Sequence, residues 1–429
     1  MKIHAVSLGC DKNRVDTEIA LAGVLEKGHT LTDNPNDADL LVVNTCCFIE
    51  DATKESIDAI LSLAAAKKDD TKLYVMGCLA ERYRAELLEE IPEIDTLLGT
   101  ADYKRLADLL PEEGKGPSFH GRWLSTPPHY AYLKIAEGCD NRCTYCVIPS
   151  IRGSYVSAPM EELLAEAKDL ASRGVKELIV IAQDTTRYGE DLYGEKKLPE
   201  LLEKLCAVDG LQWIRLLYAY PESVTDELIR VLAEQEKIVK YIDMPIQHIS
   251  DSVLRRMGRK TGREEIETTL KKLRAAHPDF TVRTTLITGF PGETEENYRE
   301  LQDFVAAYAF ERLGVFPYSR EEGTPAARLP DQLPREIKER RAEGIMALQM
   351  DIHMSRNDRL VGKTIPVIVE QKTPEGYAGR SWADAPDVDG TVFIQTRNKL
   401  LPGTILSVSV TRAEGYDLVG VLASEAEEI

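Results

Sequence analysis

The chain has 429 residues, of which 43% are apolar, so it is long enough for several domains with cores of their own and is not a small disulfide-stapled module. Its eight cysteines are too few for a disulfide framework, and no apolar run approaches the roughly 18 residues that span a bilayer; we expect a soluble, cytoplasmic protein without a membrane partner. The formal net charge of −19 opposes attraction to a polyanion and favours a basic partner, although acidic charge can also simply maintain solubility.

The first 115 residues contain three short apolar runs, each of which ends at a cysteine and leads into a helical pattern: KIHAVSLGC, ADLLVVNTC and KLYVMGC. Consecutive strand–helix units predict a parallel α/β sheet, in which ligand sites lie beyond the carboxyl ends of the strands. Cys10, Cys46 and Cys78 stand at three such ends. We therefore expect an α/β domain over residues 1–115 in which these thiols converge on one crevice.

Residues 116–129 are rich in Pro, Gly and Ser and lack periodicity, which predicts a linker. Between residues 130 and 333, helical patterns separate six strand-like runs: YLKIA, VKELIVIAQ, QWIRLLYAY, VKYIDMPIQ, FTVRTTLITGF and RLGVFPYS. A closed (β/α)8 barrel needs eight strands, so six units predict an open, partial (β/α)6 barrel. In barrels of this kind the chemistry lies at the carboxyl ends of the strands.

Residues 334–360 have the pattern of a long charged helix that connects two bodies. Residues 361–429 then change to short alternating runs separated by Gly and Pro turns: TIPVIVE, GTVFIQT, TILSVSV and DLVGVLA. This pattern predicts a small all-β barrel. The whole chain is thus predicted to be a multidomain α/β protein with a β-barrel module at its C-terminal end.

A second group of cysteines follows the first barrel strand in GCDNRCTYC, with the spacing C-x3-C-x2-C: Cys139, Cys143 and Cys146. A structural zinc site would need a fourth ligand; His120 and His129 are available, but neither has a familiar zinc spacing. A redox pair in CTYC would leave Cys139 without a role. A cubane iron–sulfur cluster held by three cysteines leaves one iron open for a cofactor or substrate.

The two remaining cysteines have structural explanations. Cys206 lies on the apolar face of a helical pattern, where cysteine commonly serves as a small core residue. Cys47 follows Cys46 directly, and the side chains of neighbouring strand residues point to opposite faces, so Cys47 is expected to point away from the face that Cys46 uses. The other six cysteines form two sets of three.

Five sequence blocks resemble those of the radical S-adenosylmethionine methylthiotransferases, in the same order: SLGCDKNRVDTE, VVNTCCFIEDA, VMGCLAERY, GCDNRCTYCVIPSIRG and ITGFPGETEENY. The resemblance covers essentially the whole chain, and the C-terminal barrel resembles that family's TRAM domain. It implies two 4Fe-4S clusters. Cys139, Cys143 and Cys146 would hold the cluster that binds and reductively cleaves S-adenosylmethionine to a deoxyadenosyl radical. Cys10, Cys46 and Cys78 would hold an auxiliary cluster that carries the sulfur to be inserted.

The resemblance also implies an electron donor such as flavodoxin or ferredoxin, and residues that contact the cofactor: Tyr145, Gln183, Asp184, Gln247, Gly289 and Glu293. Tyr145 would lie against the adenine. Gln183 and Asp184 occupy the place of a glycine-glycine-acid motif found in many relatives. Strand capping or loop hydrogen bonding explains Gln183, Gln247 and Glu293 equally well. The GFPGE segment lacks the Lys and Ser/Thr of a phosphate loop and is more typical of a tight turn.

Two branches of this family differ in acceptor, one modifying an adenosine of transfer RNA and the other an aspartate of a small-subunit ribosomal protein. SLGCDKNRVDTE and DMPIQHISDSVLRRMGR resemble the second branch more closely. Residues 361–429 carry six Lys/Arg against ten Asp/Glu, a net of −4, whereas an RNA-gripping module should present a basic face.

We therefore expect the acceptor to be the β-carbon of an aspartate in a basic small-subunit ribosomal protein, protein twelve of that subunit, either free or within the assembled subunit. No strong binding of free RNA is expected. A methylthiotransferase for transfer RNA adenosine is the alternative. An alternative of another class is a non-enzymatic iron–sulfur or zinc protein that only binds a partner.

Overall fold

The computed structural model describes residues 1–119 and 121–425, which pack into two compact units. The first unit contains Met1–Ser125, Ala136–Val156 and Ser319–Ala327, and the second contains Thr126–Ile135, Ser157–Tyr318 and the chain from Arg328 onward. Within the described residues, no helix combines the length and the apolar character needed to cross a bilayer. The domain boundaries given above remain predictions.

A five-stranded parallel sheet forms the centre of the first unit, in the spatial order β2-β1-β3-β4-β5. Its strands are β1 (Lys2–Ser7), β2 (Thr30–Leu31), β3 (Leu40–Thr45), β4 (Lys72–Gly77) and β5 (Thr96–Leu98). Its helices are α1 (Asp11–Glu26), α2 (Glu50–Ala66), α3 (Cys78–Arg82) and α4 (Arg84–Glu90). Strand β3 is buried along its whole length, as expected of a central parallel strand with both faces covered. The predicted parallel α/β sheet is confirmed.

Residues 136–156 belong to the first unit, although the chain reaches them directly from a strand of the second. That strand is β6 (Tyr130–Lys134), and the elements that follow it are β7 (Ala136–Glu137), α5 (Ile148–Arg152) and β8 (Val156–Ser157). Helix α5 packs against α3, and Val147 and Ile151 are buried in the same apolar core as Leu79. The cysteine loop is therefore built onto the core of the first sheet.

A six-stranded parallel sheet forms the centre of the second unit, in the order β6-β9-β10-β11-β12-β13. The strands after β6 are β9 (Glu177–Ile181), β10 (Trp213–Leu216), β11 (Ile238–Asp243), β12 (Thr281–Thr288) and β13 (Arg312–Pro317). The helices are α6 (Met160–Ser172), α7 (Glu190–Tyr193), α8 (Leu198–Cys206), α9 (Asp226–Glu234), α10 (Asp251–Arg256), α11 (Arg263–Ala276) and α12 (Glu295–Tyr308). Every strand lies beside its neighbour in sequence, as in a (β/α) barrel, and the predicted six strands are confirmed.

A long helix and a small barrel complete the second unit. Helix α13 (Arg335–Asp358) packs against α12, β12, β13 and a strand of the barrel. The closed barrel has the order β14-β15-β16-β18-β17, with strands β14 (Thr364–Thr373), β15 (Gly376–Ser381), β16 (Val392–Gln395), β17 (Ile405–Glu414) and β18 (Asp417–Leu422). The predicted all-β barrel is confirmed, with β15 as a strand beyond the four predicted.

Candidate functional site

The first cysteine triplet lies where three parallel strands of the first unit end side by side. The register pairs Ser7 with Asn44 and Thr45 with Gly77, so β1, β3 and β4 reach the same edge of the sheet. Cys10 precedes α1, Cys46 follows β3, and Cys78 begins α3. A Cβ atom on Gly9 would lie 3.1 Å from the Cys46 Sγ, so the loop that carries Cys10 passes directly against Cys46.

The thiols of this triplet influence one another electrostatically. Burial, with a smaller effect of the Cys10 and Cys46 thiols, raises the pKa of Cys78 to about 12, although the positive charge of Arg152 acts in the opposite direction. Burial also raises the pKa of Cys46, and Cys10 adds to this shift. Two of the three thiols, Cys46 and Cys78, are buried, and Cys10 is exposed. Burial disfavours the free thiolates of the two buried cysteines, whereas a bound cation would stabilise them.

The second triplet is shaped by main-chain hydrogen bonds within the loop. The Cys139 N–H donates to the Gly153 carbonyl at 3.1 Å, and the Cys146 N–H donates to the Cys143 carbonyl at 3.1 Å. The Asn141 N–H donates to the Cys139 Sγ at 3.4 Å, which is a typical contact for a ligating sulfur. Burial, with a smaller effect of the nearby Cys143 and Cys139 thiols, raises the pKa of Cys146 to about 12.

A glycine permits the entry to this loop. Gly138 has φ +73, and a Cβ atom there would lie 2.1 Å from the Ser154 carbonyl oxygen. The loop is fixed at its far end by Thr100, whose Oγ1 donates to the Ile151 carbonyl at 2.7 Å. Both cysteine triplets therefore lie in one compact unit, on segments anchored to the same sheet.

Arg152, which the sequence analysis does not single out, connects the two cysteine segments. Its Nη1 donates to Asp16 Oδ2 at 2.8 Å and to Glu137 Oε2 at 3.0 Å, and its Nη2 donates to Asn13 Oδ1 and lies 3.7 Å from the Cys78 Sγ. The side chain is buried. The only sequence signal for it is a basic residue at the end of the GCDNRCTYCVIPSIRG block.

Of the predicted cofactor contacts, Tyr145 lies half-buried in the cysteine loop of the first unit, and the other five lie in the second unit. Gln183 and Asp184 follow β9. Asp184 is buried and its Oδ1 accepts hydrogen bonds from the Thr186 N–H at 3.1 Å and the Thr186 Oγ1 at 2.5 Å. It therefore caps the 3₁₀ turn Thr185–Arg187.

Gln247 has a left-handed backbone conformation, which is uncommon for a residue other than glycine. Its φ is +70, and its main chain bridges to β12, donating to the Thr285 carbonyl at 2.9 Å and accepting from the Ile287 N–H at 2.8 Å. No donor among the described residues reaches its buried Oε1. A strained residue that carries a buried acceptor without a donor is typical of a ligand site.

Gly289 and Glu293 make contacts that shape their loop. The Gly289 N–H donates to Glu293 Oε2 at 2.8 Å, and Arg341 Nη1 donates to Glu293 Oε1 at 2.7 Å. A Cβ atom on Gly289, whose φ is +70, would lie 2.3 Å from the Lys338 Cγ. Both residues hold a tight turn against α13, and contact with a cofactor stays a prediction for them.

The two histidines considered as a fourth zinc ligand are His129 and His120. His129 is buried in the second unit, with its Nε2 3.5 Å from Glu370 Oε1, whereas the cysteine loop belongs to the first unit. His120 lies outside the described residues. Across residues 1–119 and 121–425, no three His, Cys, Asp or Glu side chains converge as ligands of a single metal ion. In a cubane cluster each thiolate binds a different iron.

Three family models match the chain in the order of its three parts: Uncharacterized protein family UPF0004 over residues 2–99, Radical SAM superfamily over 133–305 and TRAM domain over 361–422. Among solved structures, the radical S-adenosylmethionine methyltransferase TsrM from Kitasatospora setae, with cobalamin and a [4Fe-4S] cluster bound, has a similar fold. The TM-score is 0.54 at 16% identity, and 76% of each chain is covered.

Curated relatives match over nearly their whole length. The chain is 50% identical to "Ribosomal protein uS12 methylthiotransferase RimO" of Lachnoclostridium phytofermentans, covering 98% of this chain and 99% of the relative. It is 48% identical to the protein of the same name from Clostridium tetani, covering 99% of each. The resemblance drawn from the five sequence blocks is confirmed. The chain belongs to the RimO family of methylthiotransferases, which are transferases of the radical S-adenosylmethionine superfamily.

Proposed function

We propose that this protein replaces a hydrogen on the β-carbon of an aspartate in ribosomal protein uS12 by a methylthio group. The acceptor protein and the reaction class are those in the names of relatives 50% and 48% identical to the chain. The aspartate and its β-carbon follow from the resemblance of SLGCDKNRVDTE and DMPIQHISDSVLRRMGR to the protein-modifying branch.

The observation that carries the proposal is the presence of two cysteine triplets in one compact unit. We propose a 4Fe-4S cluster at each, because three thiolates leave one iron of a cubane free for another ligand. The surroundings fit such groups: the Asn141 N–H donates to one cysteine sulfur, and the Arg152 guanidinium lies beside another. When bound, the loop cluster supplies the electron for cleavage of S-adenosylmethionine to a deoxyadenosyl radical, and the auxiliary cluster supplies the sulfur-carrying centre.

The residues that we propose to contact the cofactor are those implied by the resemblance. We propose that the buried Oε1 of Gln247, which no donor among the described residues reaches, accepts a hydrogen bond from an ammonium or hydroxyl group of S-adenosylmethionine. Tyr145 offers an aromatic face to the adenine. We propose Gln183 and Asp184 as further contacts, and Gly289 with Glu293 as residues that touch the cofactor from their turn.

A radical is required because the acceptor carbon is unactivated, and no side-chain base removes a proton from such a position at neutral pH. The net charge of −19, with −4 in residues 361–429, suits a basic ribosomal protein and opposes strong binding of free RNA. We place the reaction in the cytoplasm, where ribosomal subunits assemble, with a flavodoxin or ferredoxin as electron donor.

The test is turnover by the anaerobically reconstituted protein with S-adenosylmethionine, a reductant and uS12, supplied both free and within the small subunit. Mass spectrometry should show one uS12 peptide gaining about 46 Da at an aspartate, the mass of a methylthio group replacing hydrogen in cofactor-driven chemistry. Transfer RNA serves as the competing acceptor. Modification of its adenosine at a comparable rate with uS12 unchanged would refute the assignment.

A further inference from the structure

Arg152 lies beside the first cysteine triplet. It extends from the end of α5, is 7% exposed, and brings its Nη2 to 3.7 Å from the Cys78 Sγ. This is within the range of an N–H···S hydrogen bond, which is longer than one to oxygen because sulfur is larger. The guanidinium is always protonated, so it is a permanent donor and a permanent positive charge.

The other contacts of Arg152 hold this orientation. Asp16 and Glu137 accept from Nη1, so two carboxylates already neutralise the guanidinium. Nη2 is thereby turned toward Asn13 and Cys78. If Arg152 were only a partner in a buried ion pair, the two carboxylates on Nη1 would be sufficient. Its Nη2, however, faces Cys78, a predicted cluster ligand.

Asn13 extends this contact to the other strand ends. Its Oδ1 accepts from Arg152, and its Nδ2 donates to the Leu8 carbonyl at 3.1 Å and the Thr45 carbonyl at 2.9 Å. Those carbonyls lie two residues before Cys10 and one before Cys46. One guanidinium and one amide thus tie together the three segments that carry the triplet.

We propose that Arg152 is a positioning residue for the auxiliary cluster. Its guanidinium donates a hydrogen bond to the Cys78 ligand and raises the reduction potential of the cluster. This inference rests on the proposed auxiliary cluster. The reduced cluster carries one more negative charge than the oxidised cluster, and a buried positive donor at a ligating sulfur stabilises the more negative state. Without Arg152, the cluster would face the Asp16 and Glu137 carboxylates with no intervening cation, which lowers its potential further.

The experiment uses the full chain with Cys139, Cys143 and Cys146 changed to Ala, so that only the auxiliary cluster is bound. Arg152→Met removes the charge and the donor, and Arg152→Lys retains the charge without the planar fork. Arg122→Met is the matched control, because Arg122 is a buried arginine of the same unit that pairs with Glu18 on α1. Each variant is analysed for iron content and titrated electrochemically with detection by electron paramagnetic resonance.

We expect the potential of the cluster to fall in Arg152→Met, to fall less in Arg152→Lys, and to be unchanged in Arg122→Met. Full iron content with an unchanged potential and spectrum in Arg152→Met would overturn the proposal. The background protein is the chain with Cys139, Cys143 and Cys146 changed to Ala and Arg152 intact. If it binds no cluster, the auxiliary site is refuted, and the proposed function with it. This result is distinct from an unchanged potential.

A second measurement does not depend on the folding of an Arg152 variant. Arginine labelled with ¹⁵N in the guanidinium should give a hyperfine coupling to the reduced auxiliary cluster in the background protein with Arg152 intact. The coupling should persist in Arg122→Met. Its absence from the background protein would overturn the proposal even if Arg152→Met cannot be purified.

Discussion

Gly77 shows how one residue determines the position of a predicted ligand. It has φ +95 and separates the end of β4 from Cys78, and a Cβ atom there would lie 2.0 Å from Asn44 Oδ1 and 2.7 Å from the Thr45 carbonyl oxygen. The Asn44 side chain could move, but the Thr45 carbonyl belongs to the paired strand β3. Only glycine allows the turn into α3 at this point.

We expect Gly77→Ala to lower the free energy of unfolding by roughly 2–5 kcal/mol, since the backbone conformation costs about 1–2 and the overlap about 1–3. It should also reduce the iron bound at the first triplet, because Cys78 is displaced. Denaturant titration and iron analysis measure both. The control is Gly121→Ala, where φ is +89 but a Cβ atom would meet no described atom within 4 Å, so only the backbone cost applies. Equal effects of the two changes would contradict this account of Gly77.

The six cysteines should separate into two functional sets. Changing Cys139, Cys143 and Cys146 to Ala should remove about four of about eight irons and abolish cleavage of S-adenosylmethionine. Changing Cys10, Cys46 and Cys78 to Ala should remove the other four, retain reductive cleavage and abolish sulfur insertion. Iron and sulfide analysis and chromatography of deoxyadenosine measure these outcomes.

Cys206→Ala is the matched control for the cysteine variants, since this half-buried thiol at the end of α8 lies outside both triplets. It should leave iron content and turnover at the parent level. A methylthio group transferred by the first-triplet variant would exclude a catalytic role for those three cysteines. One tightly bound zinc and no sulfide after anaerobic preparation would contradict both clusters.

At the scale of elements, apolar runs predicted most of the fold, because buried parallel strands read as continuous Val, Ile and Leu segments. The six strands of the second sheet carry such runs. Strand β15, GYAGRS, does not: it is buried along its whole length, but it consists of small residues, one tyrosine and an arginine that pairs with Glu177 of β9. The short strands β2 and β5, of two and three residues, are likewise below what periodicity can detect.

The cysteines of the candidate site could be predicted from the sequence, but the role of Arg152 could not. Spacing and strand ends identify the six cysteines from local sequence. The role of Arg152 depends on Asp16, Asn13 and Cys78, which are 74 or more residues away along the chain, and no local pattern reports such contacts. The burial of Ile151 in the core of the first sheet also depends on distant residues, so the unit to which the cysteine loop belongs could not be read from its sequence.

A buried ionic group joins two sheets of the second unit. Glu177 of β9 accepts from Arg215 of β10 at 2.8 Å and from Arg380 of β15 at 2.6 Å, and all three side chains are buried. Burial alone would raise the pKa of Glu177, but the charges of Arg380 and Arg215 lower it to about 2. The carboxylate thus stabilises the fold fully above pH 4.5 and loses this effect as the pH falls through 2.

We expect Glu177→Gln to lower the free energy of unfolding by about 3–5 kcal/mol at neutral pH, because it leaves two arginines buried without their counter-charge. Urea denaturation measures the change. Glu203→Gln is the control: Glu203 and its partner Arg230 are 41% and 46% exposed, and removal of an exposed pair of this kind should change the stability by less than about 1 kcal/mol. Similar losses in both variants would contradict the role assigned to Glu177.

His353 on α13 should make stability depend on pH. Burial, together with the positive charge of Arg312, lowers its pKa to about 4. Arg312 Nη1 lies 3.3 Å from Nδ1, and Nε2 lies 3.3 Å from the Tyr416 carbonyl oxygen and 2.9 Å from Asn357 Nδ2. The neutral ring links α13 to the turn between β17 and β18.

Because the pKa in the folded protein is below the ordinary value of 6.5, the unfolded chain takes up the proton first. The contribution to stability is complete above pH 6.5 and is lost as the pH falls toward 4, by about 3 kcal/mol. Thermal unfolding between pH 7.5 and 4 measures the loss, and His353→Gln should flatten this part of the profile. The same slope in parent and variant would contradict the assignment.

At the scale of the whole molecule, the net charge of −19 should govern the encounter with a basic acceptor. We expect the association rate with free uS12 to fall on the order of tenfold between 50 and 500 mM salt, because screening weakens long-range attraction while contacts at short range persist. Stopped-flow fluorescence measures the rate. A rate independent of salt would exclude electrostatic steering.

The first unit is assembled from three separate segments of the chain, so it cannot be completed early in synthesis. Its core needs Val147 and Ile151, and its surface needs Glu321, which accepts from Arg82 at 3.2 Å. A nascent chain that has emerged only to residue 115 therefore leaves the apolar surface around Leu79 uncovered. The first unit is thus begun first but completed only when residues 319–327 have left the ribosome, and until then its uncovered surface is exposed to chaperones and to aggregation.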